Sequence, residues 1–167
     1  MKSDINKIFE NYVFNTIFII CFLWLSSCSD NRLYDQCIDI DKTGWPEEKE
    51  LAYTFSVPDT AESYVLYYTL RYTNDYAYYN LYVKRYMYDS TGKLLSEKLQ
   101  GMDIFDPKTG APYGSGMSKT YDYTVLSEPD FKFPHAGKYT IKIKQFMRQS
   151  VLTGIKAFGI RLEGKGN

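Results

Sequence analysis

Tyr139-Thr140-Ile141-Lys142-Ile143-Lys144 alternates apolar and polar side chains at every step. That is the period of a β-strand with one face in a core and the other in water. The pattern recurs on either side. In Leu51-Ala52-Tyr53-Thr54-Phe55-Ser56-Val57 the odd positions are apolar, and near the C-terminus Phe158, Ile160 and Leu162 alternate with Gly159, Arg161 and Glu163. Tyr64, Leu66, Tyr68, Leu70 and Tyr72 share one face and are expected in the core. Leu33–Ile40, Leu81–Tyr88, Leu94–Leu99 and Tyr121–Leu126 read as further strands, although both faces of Leu81–Tyr88 are mixed and leave its orientation open. Asp89-Ser90-Thr91-Gly92 is a hairpin turn, Asp106 to Gly116 a long turn-rich loop, and Phe133-Pro134-His135-Ala136-Gly137 a corner in which Gly137 is expected at positive φ. No segment after residue 27 keeps a helical period beyond two turns. The expected fold is all-β: a single antiparallel β-sandwich of about 7–8 strands, following an N-terminal signal segment.

That signal segment is the apolar run Tyr12 to Leu25, closed by Ser26-Ser27-Cys28. It is shorter than the roughly 20 residues a membrane-spanning helix needs. Leu25-Ser26-Ser27-Cys28 resembles the bacterial lipobox, in which small residues admit the processing peptidase and the Cys thiol takes a diacylglycerol. The expected organisation is a lipoprotein signal peptide over 1–27 and a lipid-anchored domain over 28–167, with Cys28 as the acylated N-terminus. The leader carries Asp4 and Glu10 beside Lys2 and Lys7, so it lacks the usual positive excess.

After residue 27 the chain is long enough for one domain with a real core. The whole sequence has 20 basic and 20 acidic residues, two of each in the leader, so both the chain and its mature part balance and bulk charge recruits no nucleic acid. Cys21 leaves with the leader and Cys28 goes to the lipid. Cys37 then has no intramolecular partner and is expected to be a buried, small apolar residue. Catalytic raw material is scarce. His135 is the only histidine and sits in a Pro-Gly corner; Asp35, Asp39 and Asp41 lack the spacing and turn glycine of a calcium loop; Gly116-Met117-Ser118-Lys119-Thr120 lacks the closing glycine of a nucleophile elbow. No catalytic residue, metal or cofactor is assigned.

Tyrosine is abundant instead: 17 residues, of which ten lie between Tyr64 and Tyr88. Most fit strand positions. Asn74-Asp75-Tyr76-Ala77-Tyr78-Tyr79-Asn80 lies on a connection, where loops present binding groups and aromatic side chains need a reason to be. Asn74, Asp75, Tyr76, Tyr78, Tyr79 and Asn80 are therefore the expected partner-binding residues, with Arg71 and Arg148 from neighbouring elements. Tyr76 and Tyr79 are the preferred anchors.

Ordered stretches along the chain resemble the gliding motility lipoprotein GldH family of Bacteroidetes. They are Cys28 through Tyr34-Asp35, Asp39-Ile40-Asp41 with Gly44-Trp45, Asn74-Asp75-Tyr76 with Asn80-Leu81, Phe133-Pro134 through Gly137, Tyr139, Ile141, Ile143, Gln145 and Met147-Arg148, and Gly154-Ile155 before Gly159 to Glu163. The resemblance implies a non-enzymatic outer-membrane lipoprotein without a cofactor. Such a protein works with other envelope proteins of the gliding and type IX secretion machinery and meets the membrane through its lipid. A carbohydrate-binding surface lipoprotein is the alternative reading of an aromatic-rich sandwich, and an enzyme the third.

Overall fold

The computed structural model describes residues 31–58 and 63–165, so the signal segment and Cys28 lie outside the described residues. Eleven strands follow one another. They are β1 (Arg32–Asp39), β2 (Trp45–Pro46), β3 (Leu51–Val57), β4 (Tyr64–Thr73), β5 (Asn80–Tyr88), β6 (Leu94–Asp103), β7 (Ser115–Met117), β8 (Thr120–Phe131), β9 (Gly137–Gln145), β10 (Val151–Leu152) and β11 (Ile155–Gly164). A five-stranded sheet, β1-β11-β4-β8-β7, faces a four-stranded sheet, β3-β9-β5-β6, and β2 pairs with β10 in a small ribbon. All pairings are antiparallel. The all-β sandwich is as expected. Its eight long strands are the eight read from the sequence, and β2, β7 and β10 are additional pieces of two or three residues.

Strand β8 runs beyond the expected Leu126, through Ser127-Glu128-Pro129-Asp130 to Phe131. Proline argues against a strand interior, but β7 covers only Thr120–Asp122 of this edge, and proline is tolerated where no ladder partner needs its N–H. In β5, Leu81, Val83, Arg85 and Met87 turn inward, while Tyr82, Lys84, Tyr86 and Tyr88 turn outward. The mixed faces are explained by Arg85, a charged residue on the core side.

Arg85 is 3% exposed. Its guanidinium lies over the Phe131 ring at 4.8 Å and donates to Glu128 at 2.7 Å, so a β5 residue reaches the edge strand of the facing sheet. Lys98 adds a second cation at 3.4 Å from the same carboxylate, and Gln100 and Ser127 exchange hydrogen bonds beside it. These polar contacts close the flank where β6 and β8 meet. Burial alone would raise the Glu128 carboxyl, but Arg85 and Lys98 more than offset it and hold it below its ordinary value.

The opposite flank, β1 over β3, is closed by the Tyr34 and Phe55 rings, 5.0 Å apart. Cys37 departs from expectation: it is exposed, not core. On β1, Tyr34 and Ile38 pack on the core, paired with Leu162 and Phe158, and Gln36 between them is exposed at the sheet edge. Cys37, one residue out of phase, therefore faces outward between Asp35 and Asp39. One end of the sandwich is filled by Phe133, whose ring meets Phe55, Tyr64, Phe131 and Tyr139 at 4.7–5.7 Å. His135 belongs to that corner: its ring stacks on Tyr139, and its carbonyl accepts the Tyr139 hydroxyl at 2.6 Å. Gly137 has φ of 147°, as expected.

Two expectations follow. Glu128→Ala strands the buried Arg85 and should cost about 3–5 kcal/mol; the native pair should hold fully above the ordinary carboxylate range and fade as pH falls below it. Both are read from denaturant midpoints across pH. Gly137→Val meets open space, with only His135 Nδ1 within 4 Å of an added Cβ. Its cost is therefore backbone strain alone, about 1–3 kcal/mol, read as a lowered melting temperature.

Candidate partner-binding site

The 74–80 connection crosses from the five-stranded to the four-stranded sheet at the end opposite Phe133. It starts as a turn, with the Tyr76 N–H donating to the Thr73 carbonyl at 3.1 Å. It is held from both sides. The Tyr79 carbonyl accepts the Ile104 and Phe105 N–H groups at 2.8 and 2.9 Å. Below it, Gly154 at φ 87° brings its backbone against Tyr76, and its carbonyl accepts the Thr73 N–H at 2.9 Å. No other residue fits there: a Cβ on Gly154 would lie 2.5 Å from the Tyr76 Cα.

Tyr76 is buried, so it does not present its ring to a partner. Its hydroxyl donates to the Asn80 carbonyl at 2.8 Å, and its ring meets Tyr78 edge-on. Burial raises its pKa, so the hydroxyl stays protonated and keeps donating. Tyr76 is the floor on which the loop rests; the loop's turn residues put the ring inward where strand alternation would not have. Tyr78 and Tyr79 stand out, the latter 50% exposed.

A second turn, 146–149, supplies the rest of the surface. Gln145 is fully buried and acts as its clamp: its amide donates to the Gln149 carbonyl and its side-chain oxygen accepts the Met147 N–H, both at 2.8 Å. Gln149 in turn donates to the Tyr78 hydroxyl at 2.8 Å, joining the two loops. The Phe146 N–H donates to the Tyr82 carbonyl at 2.8 Å, and the Tyr82 N–H meets the Met147 sulfur at 3.2 Å. The Tyr82 ring covers Gly101, where a side chain on the neighbouring strand would collide with it.

The result is a shallow cleft of about 430 Å³ lined by Tyr78, Asn80, Tyr82, Phe146, Met147 and Arg148. A second, of about 450 Å³, opens on the other side of Tyr78 and is lined by Asn74, Tyr76, Tyr79, Phe105, Gly110 and Pro112 as well. Tyr78, Tyr79, Tyr82 and Phe146, four of the large apolar side chains exposed by the described residues, thus gather at one end. The structure brings Asn74, Tyr78, Tyr79, Asn80 and Arg148 together there. Asp75 is exposed on the same turn and stands 3.5 Å from the Thr73 hydroxyl.

Arg71 lies elsewhere. It is on the outer face of the five-stranded sheet, paired with Asp122 at 2.8 Å, in a groove shared with Asp35, Cys37, Asp39 and Thr69. Sequence spacing placed it near the loop; strand alternation turned it to the other side. Tyr82, Phe146 and Met147 were missed, because Tyr82 looks like an ordinary strand position and Phe146 and Met147 like the run-out of β9 until the 145–149 turn folds beside the loop. A third groove, about 480 Å³, lies on the outer face of the four-stranded sheet, where Lys142 is already taken by Glu50 at 2.8 Å and the Tyr88 ring. No group of three His, Cys, Asp or Glu able to hold a metal exists among the described residues.

The family described as GldH lipoprotein matches residues 32–162 of this chain. The chain is 29% identical over 158 residues to a gliding motility lipoprotein GldH homolog of Christiangramia forsetii, covering 90% of this chain and 95% of that protein. It is 26% identical over 156 residues to the gliding motility lipoprotein GldH of Flavobacterium johnsoniae, covering 89% and 95%. Among solved structures, an arabinose-bound α-L-arabinofuranosidase MgGH51 aligns with a TM-score of 0.39 at 9% identity, over 75% of this chain and 19% of that one. That likeness is too slight to bear on fold or chemistry.

The Gly154 contact yields a test of how the loop is held. Gly154→Ala combines positive φ with a backbone collision and should cost about 2–5 kcal/mol. Limited proteolysis should then cut first within 74–80.

Proposed function

This chain belongs to the GldH lipoprotein family, and we propose that it is a non-catalytic, lipid-anchored adaptor of the gliding motility machinery. In this reading Cys28 is acylated and holds the domain in the cell envelope, at the outer membrane. The domain there binds other envelope proteins of the gliding and type IX secretion machinery. The relatives named gliding motility lipoproteins match along 95% of their own length, which supports a shared role for the whole domain and not for a fragment of it.

The observation that carries the adaptor reading is the cleft joining the 74–80 connection to the 146–149 turn. It mixes exposed Tyr and Phe rings with an Asn amide, a Met thioether and the Arg148 guanidinium. That mixture is characteristic of protein interfaces, where aromatic and Arg side chains supply most of the binding energy. The residues proposed to touch the partner are Asn74, Asp75, Tyr78, Tyr79, Asn80 and Arg148, with Tyr82, Phe146 and Met147 added by the fold.

A sugar platform would favour exposed rings in a common plane. Of the exposed rings, Tyr82 is committed to covering Gly101. That commitment, with the Met147 thioether and Arg148 in the same cleft, favours a protein partner over a carbohydrate.

Tyr79→Ala combined with Arg148→Glu changes two exposed side chains and leaves the Tyr76 floor in place. It should keep abundance and melting temperature while abolishing co-purification with other motility lipoproteins from solubilised envelope. A folded variant that retains those partners overturns the assigned surface. Cys28→Ser should yield unacylated protein, seen as a changed intact mass and loss from the membrane fraction.

A further inference from the structure

The point at which the chain enters the sandwich is fixed. The Asn31 carbonyl accepts the Gly164 N–H at 2.8 Å, and the Asn31 side-chain amide donates back to the Gly164 carbonyl. β1 and β11 are thereby clasped where one begins and the other ends. Only Ser29 and Asp30 lie between Asn31 and Cys28. Three residue steps in any conformation span at most about 11 Å. An acyl group on Cys28 therefore holds Asn31 within that reach of the bilayer surface.

Strand direction then orders the molecule. β1 and β4 start at this end, β8 and β11 finish there, and the 132–136 corner and the 89–93 hairpin lie there too. β4 runs from Tyr64 to Thr73 and delivers the chain to the 74–80 connection. Ten residues of strand cover about 30 Å. The aromatic cleft thus stands roughly one strand length from the tethered end, while the tether is about a third as long.

The two ends also differ in surface chemistry. At the tethered end the large apolar rings are turned inward around Phe133, and Lys132 and Lys165 are exposed there beside Pro134, His135 and Ala136, with Leu94 at the nearby hairpin. Lys132 and Lys165 flank a single carboxylate, Asp130, at 3.8 and 3.5 Å, and Arg32 stands nearby on β1, paired with Asp35 at 3.1 Å. Three cations, Arg32, Lys132 and Lys165, stand there against two carboxylates, Asp35 and Asp130, which suits phosphate headgroups. Among the described residues the exposed Tyr and Phe rings, Tyr78, Tyr79, Tyr82 and Phe146, lie at the far end.

We infer that the end built from the start of β1, the close of β11 and the Phe131–Gly137 corner rests on the phospholipid headgroup layer, and that the aromatic cleft is thereby presented away from the bilayer. The inference rests on the acylation of Cys28 and concerns orientation. The partner is met about 30 Å above the membrane surface, at a height where a second envelope protein, and not lipid, occupies the cleft.

Acylated full-length protein is reconstituted into phosphatidylethanolamine–phosphatidylglycerol vesicles carrying a headgroup nitroxide. A fluorophore is placed on a single cysteine in a Cys37→Ser background, at Lys132→Cys for the tethered end or Lys108→Cys for the far end. A second pair, Lys93→Cys and Lys42→Cys, repeats the comparison at independent sites. Labels at 132 and 93 should be quenched several-fold more strongly than those at 108 and 42. Equal or inverted quenching in protein that floats with the vesicles overturns the orientation and leaves the anchor standing. Wild-type protein that fails to float, with an intact mass lacking acyl groups, overturns the anchored reading and this inference with it.

Discussion

A buried tyrosine brings a hydroxyl into the core, and that hydroxyl must find an acceptor or cost about 1–3 kcal/mol. Six tyrosines are buried among the described residues, and four of their hydroxyls reach backbone carbonyls that set how the sandwich is built. Tyr53 on β3 donates across the core to the Phe158 carbonyl on β11 at 2.7 Å, tying one sheet to the other. Tyr72 on β4 crosses in the other direction to the Ile104 carbonyl at 2.7 Å and also reaches the Tyr113 carbonyl; burial pushes its pKa up to about 12, so it donates throughout the physiological range. Tyr76 and Tyr139 each close a local corner on a carbonyl four residues away. Apolar side chains would let the sheets slide; these hydroxyls fix which residue faces which. The only cysteine among the described residues is unpaired, so directional bonds and packed rings do what cross-links do in other small domains.

The two ends use aromatic residues in opposite ways. At the Phe133 end, five rings contact one another and exclude water, giving a rigid base. At the other end, Trp45 and Phe158 pack at 5.5 Å beneath, and the layer above them is left open. Tyr78, Tyr79, Tyr82 and Phe146 lie at its surface because two loops converge there, one held by Gly154 and the other by Gln145. An exposed cluster of rings favours association with water present, so keeping it on well-bonded loops is consistent with a docking role. A packed base at one end and an open, ring-lined end at the other agree with the tethered adaptor proposed above.

Much of this was legible in the chain. Side-chain period two located β3, β4, β9 and β11, because a half-buried strand must alternate, and residue type and turn signals marked the other four long strands. Placement of Tyr64, Tyr68 and Tyr72 in the core followed from the leucines they alternate beside. Positive φ at Gly137 and the Asp89 turn followed from local chemistry, since Asp89 accepts the Thr91 and Lys93 N–H groups and Gly92 takes the left-handed conformation. Membership in the GldH lipoprotein family was likewise carried by ordered short matches from Tyr34-Asp35 to Glu163.

What the chain did not disclose depends on contacts between residues far apart in sequence. Arg85 sits on a core face because Glu128, 43 residues away on another sheet, receives it. Cys37 faces water because the register of β1 against β11 packs Tyr34 and Ile38 on the core. Arg71 left the candidate surface because strand alternation turned it to the opposite side, and Tyr76 became its floor because Gly154 packs against it. Phe146 and Met147 joined that surface, beside the expected Arg148, only through the 145–149 turn. Local sequence determined which segments are strands and turns, since those rest on neighbouring residues and intrinsic backbone preference. The tertiary structure alone decided which side chains meet, because burial and pairing arise only when distant segments are brought face to face.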